Sequence, residues 1–318
     1  RLGRPGPASP VVLALHGTSF NAGAWVPTLE KLAGRIDADC WLVEWTGHGS
    51  SRACPGAGHG PERFDIASVG GRDVFSVLAH GDCARYAETR PVFGVGHSVG
   101  AQILCHAELE RPGTFSGLVC VDPILSPPRA DAAAAVAGLV RGTLGKKNVF
   151  ETRNREDVAA YFAKTALGRR WEGAAIAGFA ARAVRPCAAG LELSCDPETE
   201  AAVYANSATA AGAAFSRLGE IRCPAAVCVG HDSTMNGATS REHRSNGAAV
   251  AAKFRRCVTV DGLDEALTAA GPCAALRKCD HYVPMENSAW CAAFVAGAFR
   301  AFAAPRKEVS LRGAREMT

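Results

Sequence analysis

The sequence has no long apolar run and no block of basic residues. No stretch of about 18 apolar residues is free of charged or polar breaks, so a membrane-spanning helix is not expected. The best run, residues 91–105, contains His97 and Ser98. Thirty-five Lys and Arg residues against 31 Asp and Glu leave a formal charge of +4, spread along 318 residues. Because no basic patch concentrates this charge, nucleic acid is not an expected partner.

Cysteine pairs of the C-x-x-C type are also absent. The 13 cysteines are scattered along the chain, and we interpret them mainly as small buried hydrophobic residues. An odd number in a chain of this length favours a reducing compartment, the cytoplasm or an organelle lumen, over a disulfide framework, although one or two bridges would fit.

The sequence does have the composition of a globular protein. Apolar residues make up 48% and charged residues 21%, close to the values of ordinary folded domains and far from those of a disordered chain. At 318 residues the chain is long for one simple domain and short for two full ones. One core with an inserted subdomain fits this length.

Short apolar runs alternate with helix-like stretches, which is the rhythm of βαβ units. Each run is apolar at odd and even positions alike, as expected for a strand covered on both faces. The pattern predicts an α/β fold, with a mostly parallel central sheet and helices on both faces. The predicted strands are residues 11–15, 40–45, 92–96, 117–121, 225–229 and 258–260, and the predicted helices are 24–33, 69–88, 98–110 and 287–304.

The rhythm changes between residues 127 and 218. This segment is Ala-rich, helical in pattern and without a strand signal, and we predict a helical cap inserted into the core. The core then consists of residues 1–126 and 219–304, followed by a charged, disordered tail at 305–318. Residues 261–278 match no element pattern.

The most specific motif is Gly96-His97-Ser98-Val99-Gly100, directly after an apolar run and directly before a helical stretch. A G-x-S-x-G sequence between strand and helix is typical of a nucleophile elbow. The glycines let strand and helix pass closely, and the serine lies at a helix N-terminus, where backbone N–H groups stabilise a developing oxyanion. Ser98 is therefore the predicted nucleophile.

An oxyanion hole needs two N–H donors that converge on one oxygen. The predicted donors are Val99, after the nucleophile, and Thr18, in the loop after the first strand. His16 in the same loop is interpreted as a structural hydrogen-bonding residue. Phe20 and Trp25 are candidates for contact with an apolar group of the substrate, although core packing explains such residues about as well.

The general base is expected late in the chain. His281, just before the last predicted helix, is the preferred candidate, and His231 is its rival. The chain order Ser, Asp or Glu, His leaves two candidates for the acid, Asp122 and Asp232. Both follow the carboxyl ends of predicted parallel strands, which is the edge where ligands bind in open α/β sheets.

Together these motifs resemble the α/β-hydrolase fold family. His16-Gly17 matches the oxyanion loop, residues 47–51 (GHGSS) match the GHGxS turn, residues 96–100 match the elbow, and residues 281–286 (HYVPME) match the HxVPME text around the family histidine. The four motifs occur in the order found in the family, and the resemblance spans about residues 11–300. It implies that the segment between Asp122 and Ala225 is a lid that shapes the substrate pocket.

The sequence departs from the family at the acid. Members usually place it about three residues beyond the Gly that ends the preceding strand. That glycine is Gly230 here, and the corresponding position holds Ser233. Asp122, at a position that some relatives use instead, becomes the better candidate, while Asp232 stays open. A second departure is the stretch 261–278, where the family has a short link.

The resemblance implies acyl transfer to water through a Ser-His-Asp triad and an acyl-enzyme, with neither a metal nor an organic cofactor. The expected substrate is a small, apolar carboxylic ester or thioester, and a small-molecule substrate is the expected partner. Serine at the elbow argues against dehalogenase and epoxide-hydrolase chemistry, which uses an Asp nucleophile in this family. An acyltransferase, a C–C-bond hydrolase, a lyase and a non-catalytic ligand-binding protein remain alternatives on the same fold.

Overall fold

In a computed structural model of the protein, a six-stranded parallel sheet lies at the centre of the fold. Residues 6, 8–51, 65–127, 132–234, 238–261, 263 and 273–303 are described. The strands of the sheet are β1 (Val11–Leu15), β2 (Asp39–Val43), β3 (Val92–His97), β4 (Gly117–Val121), β8 (Ala225–Gly230) and β9 (Cys273–Leu276). Their order in space is β2-β1-β3-β4-β8-β9, and every neighbouring pair is parallel. The predicted fold class is confirmed.

Both faces of the sheet are covered, which explains the apolar residues at odd and even strand positions. In β1, Val11, Leu13 and Leu15 pack into one hydrophobic cluster, whereas Val12 and Ala14 pack into a second cluster on the opposite face. Because successive side chains of a strand point to opposite faces, a strand between two helical layers must be apolar throughout.

Two helical layers cover these faces. One contains α1 (Val26–Ala33) and α11 (Ser288–Ala303), which pack together. The other contains α2 (Ile66–Leu78), α4 (Val99–Glu110) and α9 (Ser240–Lys253). The remaining core helices are α3 (Gly81–Ala87) and α10 (Val283–Glu286).

Three details of the core differ from the sequence predictions. The predicted helix 69–88 is two helices, because the chain turns at Gly81, which has a φ of +53°. The predicted strand 258–260 is not a strand, since this part of the chain contributes only a single bridge between Ala225 and Cys257. The edge of the sheet is instead formed by β9, which lies within residues 261–278, the stretch that matched no element pattern. Its Cys, Ala and Leu residues form a strand because they pair with β8, and not because of a high β-propensity.

The described residues between β4 and β8 include the α-helices α5 (Ala132–Leu144), α6 (Arg155–Ala163), α7 (Gly173–Ala183) and α8 (Pro197–Arg217). They also include an antiparallel sheet of β5 (Val149–Phe150), β6 (Val184–Cys187) and β7 (Gly190–Leu193). The expectation of a segment without strands is therefore wrong. Strands of two to four residues are too short to produce a readable alternation.

The predicted limits of core and cap at residues 126, 218 and 304 stay predictions, and the predicted tail at 305–318 lies outside the described residues. Within the part of the chain that is described, no helix combines the length and the apolar sequence needed to cross a bilayer.

Candidate active site

The elbow between β3 and α4 holds Ser98 in a conformation that few side chains adopt. Ser98 has φ 57° and ψ −124° and lies directly before the first residue of α4. A Cβ atom at Gly96 would lie 2.4 Å from the backbone nitrogen of Ala101, and one at Gly100 would lie 2.5 Å from the carbonyl oxygen of Leu15. Both glycines are therefore required by backbone approach, and the strained serine projects from a rigid turn.

The loop after β1 lies against this elbow. A Cβ atom at Gly17 would be 3.0 Å from Cβ of Ser98, so the absence of a side chain there lets the loop approach the serine. Thr18 and Val99 line the same cavity as Ser98. The N–H group of Val99 belongs to the first turn of α4 and has no intrahelical acceptor. The assignment of both residues to an oxyanion hole stays a prediction.

Ser98, His281 and Asp122 form a continuous chain of polar contacts. Oγ of Ser98 lies 2.9 Å from Nε2 of His281, and Nδ1 of His281 lies 2.6 Å from Oδ1 of Asp122. All three residues are buried. The fold thus joins three residues from the ends of two strands and from the loop before α10.

Asp122 is fully buried and has several partners. Its Oδ2 accepts a hydrogen bond from the backbone N–H of Gly230 at 2.6 Å, and Nε2 of His243 lies 2.9 Å from Oδ1. Burial alone would raise the pKa of the Asp122 carboxyl, but the charge of His281, with contacts and charge from His243, lowers this pKa well below its usual value. The carboxyl group is therefore ionised inside the protein.

Two residues that the sequence offered for the site, Asp232 and Trp25, lie away from the contact chain of Ser98, His281 and Asp122. Asp232 contacts His231, with Nδ1 of His231 2.8 Å from Oδ1 of Asp232, and both side chains are substantially exposed. These two residues follow β8 but turn outward, and it is Gly230 before them that reaches Asp122. Trp25 is fully buried in the hydrophobic cluster beside α1, which favours the core-packing alternative, and its contact with substrate stays a prediction.

The buried histidines near the site are held neutral. Burial lowers the pKa of His16 to about 4, and its Nδ1 lies 2.8 Å from the carbonyl oxygen of Gly17, in keeping with a structural role. Burial and the charge of His281 lower the pKa of His97 to about 3. Nε2 of His97 lies 2.8 Å from the carbonyl oxygen of His281, so His97 supports the backbone that carries that residue.

A large cavity opens at Ser98. Its volume is about 1420 Å³, above the roughly 300–1,000 Å³ of common small-molecule pockets. Core residues form one end, and α5, α6 and α8 form much of the wall. Phe20 lines it beside Trp171, Phe179 and Tyr282, at ring-centre distances of 5.3, 5.9 and 5.5 Å. The cavity has room for a substrate larger than the small one expected from the sequence.

The sequence did not predict that His243 and Gly230 contact Asp122 or that Tyr282 lines the cavity. Tyr282 had a local signal, because it directly follows His281 and lines the cavity. His243 had none, since it lies within the helical pattern of α9 and meets Asp122 only through the fold. Among the described residues, no group of three or more His, Cys, Asp or Glu side chains is arranged to hold a metal ion.

Curated relatives match parts of the chain. A type I acyl-CoA thioesterase, mpaH of Penicillium roqueforti (strain FM164), is 32% identical over 103 residues, which are 32% of this chain and 22% of the relative. The monoglyceride lipase of Homo sapiens is 28% identical over 163 residues, which are 48% of this chain and 50% of the lipase. The chain thus spans half or less of the length of these relatives.

Solved structures resemble the whole fold. The peroxisomal α/β-hydrolase Lpx1 of Saccharomyces cerevisiae superposes with a TM-score of 0.71 at 15% identity, covering 96% of this chain and 82% of that one. A thioesterase domain from the curacin biosynthetic pathway superposes with a TM-score of 0.62 at 16% identity, covering 92% of each chain. The model of the alpha/beta hydrolase family matches residues 11–296. The chain therefore belongs to the α/β-hydrolase family.

Proposed function

We propose that the protein is a serine hydrolase that cleaves a carboxylic ester or thioester through Ser98, His281 and Asp122. The observation that carries this proposal is the contact chain from Oγ of Ser98 through His281 to Asp122, at 2.9 and 2.6 Å. These distances are within the range over which a nucleophile, a base and an orienting acid work together.

The first half of the reaction forms an acyl-enzyme. Nδ1–H of His281 donates to Asp122, which leaves Nε2 free to take the proton of Ser98 as Oγ attacks the carbonyl carbon. The N–H groups of Thr18 and Val99 stabilise the oxyanion, an effect worth roughly 3 kcal/mol per donor in other enzymes. The tetrahedral intermediate then collapses, and the alcohol or thiol leaves with the proton from His281.

The second half returns the free enzyme. Water attacks the acyl carbon while Nε2 of His281 accepts a proton from it, and the carbonyl C–O bond to Ser98 breaks. Oγ of Ser98 recovers that proton, and a carboxylic acid is released. No metal or organic cofactor takes part in this scheme.

The cavity supports a substrate with a bulky apolar acyl group. Its wall contains aromatic and aliphatic side chains, including Phe20, Val136, Leu139 and Phe162, and its volume of about 1420 Å³ exceeds the needs of a short acyl chain. The names of the relatives, an acyl-CoA thioesterase and monoglyceride lipases, support an ester or thioester of this kind.

Labelling of the serine tests the proposal. The protein is treated with a fluorophosphonate probe, the labelled residue is mapped by mass spectrometry, and hydrolysis of p-nitrophenyl and thioester substrates is followed. We expect labelling at Ser98 that is lost in Ser98→Ala and His281→Ala, while Ser116→Ala, an exposed serine, behaves like the wild type. A folded wild-type protein that stays unlabelled and turns over none of these substrates would support a ligand-binding role instead.

A further inference from the structure

A second histidine contacts the acid of the proposed triad. Nε2 of His243 lies 2.9 Å from Oδ1 of Asp122, and Nδ1 of His281 lies 2.6 Å from the same oxygen. The other carboxylate oxygen is occupied by the N–H of Gly230. One buried negative charge therefore has two imidazole rings as neighbours, and the mechanism above uses only one of them.

His243 is placed firmly. It lies in the first turn of α9, where Thr239 and Glu242 form a capping box and the N–H of His243 donates to the carbonyl oxygen of Thr239 at 2.9 Å. Such a cap fixes the first turn of a helix. The helix itself packs on β8, the strand whose last residue, Gly230, also reaches Asp122.

The contact between His243 and Asp122 is short and shielded from solvent. Nε2 of His243 is buried, and it lies 2.9 Å from Oδ1 of Asp122. A nitrogen lone pair facing a carboxylate at this distance would be repelled, so Nε2 carries a proton. His243 therefore acts on Asp122 through this direct contact and through its charge.

The surroundings favour the charged form of His243. Burial lowers its pKa, but the contact with Asp122, the charge of Asp122 and the charge of Asp280 together raise the pKa above its ordinary value, against the opposing charge of Arg244. The thiols of Cys228 and Cys273, near Asp122, are kept neutral because burial raises their pKa values.

We propose that His243 is a positioning residue that shares the charge of Asp122 with His281 and so sets the pH range over which the site is active. This inference rests on the proposed function. When His243 is protonated, it partly neutralises Asp122, and a second positive charge on His281 is then less favourable. The pH range over which the site is active therefore depends on His243.

The pH dependence of the reaction tests this role. The rate of fluorophosphonate labelling at Ser98 and kcat/KM for p-nitrophenyl butyrate are measured from pH 4.5 to 9 in the wild type and in His243→Gln, which has no titratable charge. We expect the acidic limb of both profiles to move to higher pH by about one unit in the variant, while the plateau rate changes less. A purely structural role would lower the rate equally at every pH.

His231→Gln is the matched control, because His231 also follows β8 but contacts exposed Asp232. Its profile should equal that of the wild type. A folded His243→Gln protein with an unmoved acidic limb would overturn the inference. A wild-type protein that is not labelled at Ser98 would instead overturn the proposed function.

A wild-type measurement covers the case in which His243→Gln does not fold. In protein labelled with ¹⁵N-histidine and assigned through its backbone, the imidazole of His243 should be mainly doubly protonated at pH 6. A singly protonated, neutral ring at that pH would overturn the inference without any variant.

Discussion

Gly230 donates its backbone N–H to Oδ2 of Asp122 at 2.6 Å, although 108 residues separate the two in the chain. The same glycine lets the loop before α10 pass, since a Cβ atom there would lie 2.0 Å from the carbonyl oxygen of Asp280. The last residue of β8 is thus held between Asp122 and the loop before α10. Asp122, directly after β4, contacts His281 with its other oxygen. This arrangement brings the carboxylate after β4, and not one in the loop after β8, into contact with His281.

Replacement of each candidate acid by asparagine is expected to affect kcat differently. In Asp122→Asn, the amide no longer holds the His281 ring in the required tautomer, and kcat should fall by about 10⁴-fold. In Asp232→Asn, the exposed contact with His231 is lost and kcat should not change. Steady-state kinetics on one p-nitrophenyl ester decide this, and equal losses in both variants would contradict the assignment.

The elbow glycines are expected to matter for stability. Gly96→Ala forces a Cβ atom against the backbone of Ala101 and should lower the free energy of unfolding by about 2–3 kcal/mol. Gly138→Ala, in α5 with nothing within 4 Å of the added carbon, should raise it by up to about 1 kcal/mol. Urea unfolding measures both, and a neutral Gly96→Ala would mean that the elbow relaxes freely.

Stability is expected to fall below pH 6.5. The pKa values of His16 and His97 are lowered to about 4 and about 3 in the folded protein, so the unfolded chain binds protons first as the pH drops. Each contributes a loss of about 1.4 kcal/mol per pH unit between pH 6.5 and 4. The raised pKa of His243 adds stability as the pH falls toward 6.5, and this contribution is constant below that pH.

Urea unfolding at pH 7, 6 and 5 measures this loss. His16→Gln should reduce the slope, because Gln does not titrate, whereas Ser116→Ala, at an exposed position without a titratable group, should leave it unchanged. A stability that is constant from pH 7 to 5 would show that these rings are protonated at little cost.

The ion pair between Arg182 on α7 and Glu44 after β2 is expected to stabilise the fold. Nε and Nη2 of Arg182 lie 2.6 and 2.9 Å from the two oxygens of Glu44, whose side chain is only 7% exposed. Arg182→Met should lower the free energy of unfolding by about 1–2 kcal/mol, since it leaves a largely buried carboxylate without its cation. Arg217→Met, which breaks an exposed pair with Glu220, should leave thermal unfolding unchanged.

Cavity size is expected to set the preferred acyl chain. Ala208 of α8 lines the cavity, and Ala208→Trp should fill part of it. We expect kcat/KM for p-nitrophenyl laurate to fall at least about tenfold, the equivalent of about 1.4 kcal/mol, while the value for the butyrate ester changes little. Ala252→Trp, at an exposed position of α9, is the control. Equal effects on both esters would place the acyl chain elsewhere.

Much of the core could be predicted because its determinants are local. The apolar runs at Val11–Leu15 and Gly117–Val121 coincide with observed strands, and G-x-S-x-G marks its own turn by steric demand. The family resemblance is confirmed by the match over residues 11–296. Strands β5, β6, β7 and β9 were missed because two to four residues carry no readable period.

The sequence by itself determined the parallel sheet, the elbow and the order of the motifs, because these follow from hydrophobic periodicity and from the short-range geometry of glycine. Only the tertiary structure chose Asp122 over Asp232 as the neighbour of His281 and placed His243 on the same carboxylate. Those contacts join residues more than 100 positions apart in the chain. Whether such residues meet depends on how strands, helices and loops pack, and no local sequence pattern encodes that packing.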